Sequence, residues 1–323
     1  MRRQFIKQVG LGILGISLMP KLVFSNDKII KGMRKKPMLA YPVSDKPINY
    51  GDKISMQPKL DGVRCVIQAE GLTPYHDSNP VSHGFVVKAY SRTGKEWKNI
   101  EHILDELHPF FAKNRNVILD GELYNHDLRN DFEKIISLVR RKTPDDLDML
   151  ESADLVQFHC YDIIDETKTF EERNRFIMQV VPRNHCIYHV KTQAVATESL
   201  SKVIHQQNLD AGYEGSILRT NDKYACKRSH NLRKFKDFHD AEAEITGWVE
   251  GKGKRIGTIG KFTAVDSEGN AFGMPVMDKF KILQANFETM KDWVGETATF
   301  TYFERTKANS YRHPLFKALR NYE

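Results

Sequence analysis

The chain has 323 residues, 40% hydrophobic and 28% charged, a balance that supports a real core in one large domain or two. Its net charge of +7 points to an acidic partner, but residues 1–25 carry four of the basic side chains (Arg2, Arg3, Lys7, Lys21) and no acidic one. The remaining 45 basic and 42 acidic side chains exclude a uniformly basic nucleic-acid binder, so any such site must come from local clustering.

In chain order, residues 1–25 read as an export signal. Arg2-Arg3 and Lys7 form a basic start, an apolar run follows from Val9 to Met19, and compact residues lie at Val23-Phe24-Ser25. The run is too short to span a bilayer, and the paired arginines favour the twin-arginine route. Residues 26–36 form a basic linker. Strands are expected at 62–69, 86–91, 116–124, 155–164, 186–192, 214–220 and 232–237, with helices at 100–113, 130–142, 170–181 and 197–210. After residue 239 the texture changes to strand, glycine-rich turn, strand, helix and strand, over 241–250, 258–265, 270–276, 278–293 and 297–304. This predicts an α+β chain with a boundary near 237–240. Residues 239–323, with 12 basic and 12 acidic side chains, suit a small β-barrel of the OB type.

Four cysteines (Cys65, Cys160, Cys186, Cys226) show no CxxC spacing, which argues against a zinc site; buried free thiols are expected for most of them, with one or two disulfides open in an oxidising compartment. The histidines include no HExxH. The stretch GKGKRIGTIG at 251–260 lacks the GxxxxGK[ST] pattern of a phosphate loop, so a hairpin is expected there, with Lys252, Lys254 and Arg255 as candidate DNA-backbone contacts.

The chemically informative residues fall at strand ends. In MQPKLDGVRC (56–65), Asp61-Gly62 is a two-residue turn signal, and Lys59 before it is either a solvated strand-end lysine or a nucleophile beside a phosphate site. Ser91-Arg92-Thr93-Gly94 follows a strand. Asp120-Gly121-Glu122-Leu123 places one carboxylate after an apolar run, and Glu214-Gly215-Ser216-Ile217-Leu218-Arg219 begins a strand with another. Phe158-His159-Cys160-Tyr161-Asp162 puts an aromatic residue inside a strand, and Arg233-Lys234-Phe235-Lys236 places two lysines on one strand face.

The ordered set KxDGxR, SRTG, DGEL, an aromatic-Asp strand, EGxxLR and KxK resembles the ATP-dependent DNA ligases of the covalent nucleotidyltransferase superfamily, over roughly residues 37–323. The stretch KDFHDAEAEITG from Lys236 and the tail Arg312-His313-Pro314-Leu315-Phe316 with Arg320 favour DNA ligase within it. The resemblance implies a nucleotidyltransferase domain of antiparallel sheets and flanking helices (37–238), then an OB-fold β-barrel that binds DNA (239–323). It implies Lys59 as the AMP-accepting nucleophile, with Lys234 and Lys236 on the nucleotide phosphates. A lysine amine attacks only when neutral, and burial with neighbouring cations favours that form.

The resemblance further implies cofactor contacts from Gln57, Arg64, Glu122, Tyr161, Arg173 and Glu214. Tyr161 would stack on adenine, with Phe158 the alternative while strand register is unknown. Arg92 is a candidate for the DNA 5′-phosphate and Arg312 for DNA. Glu122 and Glu214 would place Mg²⁺ or Mn²⁺. The expected cofactor is ATP, the partner nicked duplex DNA, the state a monomer without a membrane partner, and the location periplasmic or exported, or cytoplasmic if the signal does not work. The rivals are an mRNA-capping guanylyltransferase, which would prefer GTP, an RNA ligase, and a non-catalytic DNA-binding protein.

Overall fold

Alternation of apolar and polar residues along short segments sorts the strands into three five-stranded sheets in the computed structural model, which describes residues 32–71, 84–129, 131–236, 238–306 and 309–320. The expected signal at 1–25 lies outside the described residues. Among those residues no helix is long and apolar enough to cross a membrane.

The first part of the chain contains β1 (Leu39–Pro42), β2 (Ile54–Lys59), β3 (Val63–Glu70), β4 (Val86–Tyr90), α1 (Glu101–Lys113), β5 (Ile118–Tyr124), α2 (Phe132–Val139), α3 (Asp146–Leu155) and β6 (Gln157–Ile163). It continues through α4 (Phe170–Val180), β7 (Ile187–His189), β8 (Gln193–Val195), α5 (Glu198–Asp210), β9 (Gly215–Thr220) and β10 (Arg228–Phe235). One sheet has the order β1-β10-β9-β2-β8 and the other β4-β3-β5-β6-β7. Pairing is antiparallel except at two edges, β1 with β10 and β6 with β7.

The main core lies on the second sheet. Ile103, Leu107, Phe110 and Phe111 of α1 recur at helical spacing and pack with Ile67, Leu119, Leu123, Phe158 and Ile177. The helix α4 starts at a capping box in which Thr169 and Glu172 satisfy each other's backbone N–H. The helix α3 was not expected, because it lacks an apolar period: it buries Asp148 and Ser152 and exposes Leu147 and Leu150, and its start is set by the Asp145–Asp148 capping box. Residues 33–35 of the basic stretch lie against this unit. The Arg34 side chain donates to Val117 O (3.0 Å), its backbone N–H to Gln68 Oε1 (3.0 Å), and Lys35 pairs with Glu166 at 2.5 Å.

The Asp61-Gly62 turn is not a hairpin. The neighbours of β2 are β9 and β8, and those of β3 are β4 and β5, so the turn carries the chain from one sheet to the other. Gly62 is required for close approach rather than for a left-handed backbone: a Cβ there would lie 2.4 Å from Leu123 O and 2.6 Å from Glu122 Cγ. The strand β2 is not among the expected strands, and it holds Pro58, a residue that central strands disfavour. The strand accommodates Pro58 because β8 pairs only as far as Met56, leaving one side of β2 without a neighbour there.

The third sheet comprises β11 (His239–Glu250), β12 (Ile259–Asp266), β13 (Ala271–Pro275), β14 (Thr297–Tyr302) and β15 (Leu315–Leu319), in the order β13-β12-β11-β14-β15. All its pairs are antiparallel, around Ile245, Phe262, Met274 and Phe300. The edge strands β13 and β15 approach each other without a hydrogen-bonded pairing among the described residues, an antiparallel arrangement consistent with the expected OB type. The single helix expected at 278–293 divides at Asn286 into α6 (Phe280–Ala285) and α7 (Phe287–Lys291). The four cysteines are free thiols, three of them buried.

Candidate active site

Strand register assembles the site. Residues directly opposed in antiparallel strands share a face. Lys59 of β2 opposes Gly215 of β9, the next row in that direction aligns Gln57, Ile217 and Lys234, and a third aligns Ser55, Arg219 and Leu232. The catalytic-lysine candidates and Arg219 therefore stand on one face of the first sheet. Across a cavity of about 290 Å³, the second sheet contributes Arg64, Glu122 and Tyr161, and Leu39, Ala40, Leu60, Arg92 and Arg228 also line it.

At one end, Glu214 accepts from two lysines. It pairs with Lys59 through Oε2 and with Lys236 through Oε1, the latter at 2.5 Å. Burial favours the neutral acid, but Lys59 and Lys236 together outweigh it and hold the Glu214 carboxyl below its ordinary value. Burial lowers the Lys236 and Lys234 ammonium groups, and Lys59 as a neighbouring cation adds to both. Lys236 also sits 3.3 Å from the centre of the Phe303 ring. Phe303 follows β14, and the same segment brings Arg312 onto Asp61, two residues from Lys59, with Nη1–Oδ2 2.7 Å and Nη2–Oδ1 3.1 Å. Arg312 also pairs with Glu304, so its guanidinium joins the third sheet to the turn that follows Lys59 rather than projecting outward.

At the other end, the Tyr161 ring is flanked by Arg64 at 5.2 Å and Arg219 at 5.5 Å. Asp120 opposes Asp162 while Gly121 opposes Cys160, so Tyr161 is the extra residue of a β-bulge. A bulge re-aims a side chain, and here it turns the ring into the cleft while Phe158 stays in the core. Buried aspartates hold both arginines. Arg64 donates to Asp120 through Nε and Nη2, each at 2.6 Å, and Tyr224 donates to the same carboxylate at 2.6 Å. Arg219 donates to Asp162 at 2.5 Å and to Gln57 Oε1 at 2.6 Å. The Gln57 amide then donates to Tyr161 O (3.1 Å) and Thr192 Oγ1 (2.9 Å), so the frame uses both ends of its side chain. Tyr161 donates to Glu122 Oε2 at 3.1 Å. Burial pushes the Glu122 carboxyl up to about 7, against the opposing pull of Arg64 and Lys59.

Arg173, expected on the nucleotide, does not line the cavity. It is 1% exposed, with Nε on Asp162 at 2.7 Å, Nη2 on Asp162 at 3.1 Å, and Nη1 on the carbonyls of Lys168 and Asp222. Its donors are taken by the protein, and it touches the site only by sharing Asp162 with Arg219. Lys252, Lys254 and Arg255 lie on the turn between β11 and β12, away from the cavity, with Arg255 donating to Asp278 O. In the sequence Asp61 carries only a turn signal, and Asp120, Asp162, Arg219 and Tyr224 carry no assigned role. The first four lie inside the quoted motifs; Tyr224 gives no signal beyond its place in a basic, aromatic run.

No three metal-ligating side chains converge among the described residues. Glu122 and Glu214 both bear on Lys59 and offer only hard oxygen donors. That suits a divalent cation such as Mg²⁺, which takes one or two carboxylates and completes its shell with water and phosphate.

A lysine at the join of two facing sheets, with cations at one end and an aromatic ring at the other, defines a lysine-centred nucleotide cleft. Residues 37–236 match the family model of the ATP-dependent DNA ligase domain, and the chain belongs to that family. Over 253 residues it is 25% identical to a DNA ligase of Enterobacteria phage T6 and 24% identical to one of Enterobacteria phage T4, covering 65% of this chain and 50% of each relative. The chain thus spans about half the length of these curated relatives. In fold it is similar to a solved structure of the Lig E DNA ligases, described as binding DNA with a minimal scaffold, with TM-score 0.67 and 23% identity over 89% of this chain and all of that one. A second solved chain, Pmar-Lig_Pre, aligns with TM-score 0.69 at 20% identity over 89% of this chain and 68% of its own.

Proposed function

We propose that the protein is an ATP-dependent DNA ligase that seals nicks in duplex DNA. The observation that carries the reading is the placement of Lys59 and Lys234 on the wall of a cleft that also holds Tyr161, with Lys236 joined to Lys59 through Glu214. In the first step the Lys59 amine attacks the α-phosphate of ATP, forming a phosphoramidate to AMP and releasing pyrophosphate. Lys234 and Lys236 meet the phosphates and stabilise charge in the transition state. AMP next passes to the 5′-phosphate at the nick, where Arg92 at the cavity rim is the candidate contact. The 3′-hydroxyl then attacks that phosphate, joining the strands and releasing AMP.

Tyr161 and Ile217 present apolar surface to the adenine, and Arg64 and Glu122 lie toward the ribose. Glu122 and Glu214 would hold Mg²⁺ or Mn²⁺, which supplies Lewis-acid neutralisation of phosphate charge. Residues 239–323 are the DNA-binding module, with Lys252, Lys254 and Arg255 on the DNA backbone. The working unit in this reading is a monomer without a membrane partner. The basic, apolar N-terminus with Arg2-Arg3 supports export to a periplasm by the twin-arginine route, with folding and adenylation before transport. Repair, replication and recombination are the settings in which nick sealing serves a cell.

The test uses protein lacking residues 1–25, as wild type and Lys59→Ala, with Mg²⁺ and α-labelled ATP or GTP, chased with nicked duplex. Label from ATP that needs Lys59 and leaves as the nick closes is the expected result. Label from GTP alone would move the reading to capping chemistry, and none on folded protein to a binding module.

A further inference from the structure

The segment that leads into β1, residues 32–35, is built into the fold beside the loop that carries Arg92. That loop, residues 91–95, follows β4 and is closed on itself. Ser91 N–H donates to Lys95 O (2.7 Å), Gly94 N–H to Ser91 O (2.9 Å) and Lys95 N–H to Ser91 Oγ (3.0 Å). Gly94, at φ +85°, takes the left-handed position the turn requires. The turn is fixed within itself, so its tilt against the cavity is set by what touches its base. Trp97 holds one side by donating from Nε1 to Arg64 O at 3.0 Å. The entering segment holds the other.

Met33 packs on the cluster of Met38, Val66 and Tyr224, and its Cε lies 3.8 Å from the point where a Cβ on Gly94 would stand. The backbone on either side of Met33 clamps the buried Gln68: Gly32 O accepts from its Nε2 and Arg34 N–H donates to its Oε1, each at 3.0 Å. The same amide donates to the buried Glu70 at 2.9 Å, and Glu70 also accepts from the Tyr90 hydroxyl. Tyr90 ends β4, two residues before Arg92. Arg34 stands near Glu70 as an opposite charge, while its Nη2 is anchored on Val117 O and Arg115 O. A buried polar chain with its members satisfied holds one geometry. This one runs from Arg34 through Gln68 and Glu70 to Tyr90, and ends at the base of the loop.

Resting on the ligase reading, we infer that Met33 and Arg34 are positioning residues for the DNA-engaging step: they set the tilt of the Arg92 loop, and so act on AMP transfer to the nick and not on adenylation of Lys59. Neither side chain lines the cavity. In AMP transfer an oxygen of the 5′-phosphate attacks the AMP phosphorus, the P–N bond to Lys59 breaks, and the lysine leaves as an amine that takes up a proton. Arg92 serves this step by holding the attacking phosphate, and an exposed arginine can do so only from a loop whose base is fixed. A support that lets the loop shift by about 1 Å costs up to about a hundredfold in such a reaction. Adenylation involves no DNA, so it does not depend on that loop.

The experiment uses the full chain with α-labelled ATP. It measures adenylation of Lys59 and then, in a single turnover of the adenylated protein, transfer of AMP to a nicked duplex bearing a 5′-phosphate. Met33→Ala, Arg34→Ala and Arg92→Ala are compared singly, and the first two also in the Arg92→Ala background. Met33→Ala and Arg34→Ala should each slow transfer about tenfold while adenylating within about twofold of wild type. Met33→Leu, which keeps the volume under Gly94, should restore transfer. With Arg92 already removed, neither variant should slow transfer further, because both act through it. The inference is overturned if adenylation falls as far as transfer, if the penalties multiply with that of Arg92→Ala, or if Arg92→Ala leaves transfer unchanged. An Arg34→Ala chain that does not fold leaves the decision to the two Met33 variants. Failure of the ligase reading looks different: wild type would take no label from ATP at all.

Discussion

Glu122 offers the sharpest stability test, because its burial works against the folded state while its position serves the site. Its carboxyl is pushed from 4.5 to about 7, by burial first, with Arg64 and Lys59 opposing. A folded-state value above the unfolded one means that the native protein holds a proton the unfolded chain has released. Stability from this group is therefore full below pH 4.5 and falls as pH rises toward 7. At about 1.4 kcal/mol per pH unit the whole loss is about 3 kcal/mol, of which about 1 kcal/mol has gone by pH 5.5. Glu122→Gln keeps an oxygen to accept from Tyr161 and removes the charge. The variant should be more stable than wild type by about 3 kcal/mol at pH 8 and by about 1 kcal/mol at pH 5.5, read from urea denaturation. On the proposed function its adenylation should fall at the same time, a gain in stability at the expense of activity. A gap equal at both pH values, or a wild type more stable at pH 8, would refute the burial argument.

Glu214→Gln should behave oppositely. It leaves the Lys59 and Lys236 ammonium groups without their shared carboxylate and should destabilise the protein by about 3 kcal/mol at pH 7. Because the Glu214 carboxyl is held below its ordinary value, the wild-type advantage should be complete above about pH 4.5 and shrink as pH falls below it; thermal melts at pH 7 and pH 4 check the sign. Asp61→Asn and Arg312→Gln should show a coupling of about 1 kcal/mol in a double-mutant cycle of unfolding, weaker in high salt since both side chains are about a fifth exposed; strict additivity would deny the contact. Gly62→Ala should cost about 1–3 kcal/mol in denaturation, because its Cβ meets Leu123 O; a neutral result would show that the turn can shift.

Legibility in the sequence followed the kind of physics involved. Segments with strong periodicity, such as α1, β3 and β5, stand close to their expected bounds, since one apolar face must be buried. The helix α3 carries its signal in a capping box and leaves leucines exposed, so periodicity could not find it. The strand β8 has three residues and depends on an edge pairing made elsewhere in the chain. Within the site, Lys59, Lys234 and Lys236 were visible as motif positions, but the choice between Tyr161 and Phe158 was not. A bulge adds one residue to the strand, and period-two alternation fails at that point. Arg173 was legible as a charge next to a motif. Nothing local to it showed that Asp162 and the carbonyls of Lys168 and Asp222 would take up its donors.

These pairings separate two kinds of cation in the cleft. Arg64, Arg219 and Lys236 each lie against a buried carboxylate, from Asp120, Asp162 and Glu214 respectively. Such cations are expensive to move, because displacing one leaves an uncompensated charge in a low-dielectric interior. They set geometry: the plane beside Tyr161 and the footing of the strand that ends at Lys59. Lys234 and Arg92 line the same cavity with no ion pair among the described residues. A polyanion entering the cleft can meet these two without breaking any contact inside the protein, so they gain most from phosphate. Lys59 stands between the classes, paired with Glu214 yet 22% exposed. On the proposed function, its release therefore depends on whether an arriving ligand engages Glu214, since that carboxylate is the partner holding it.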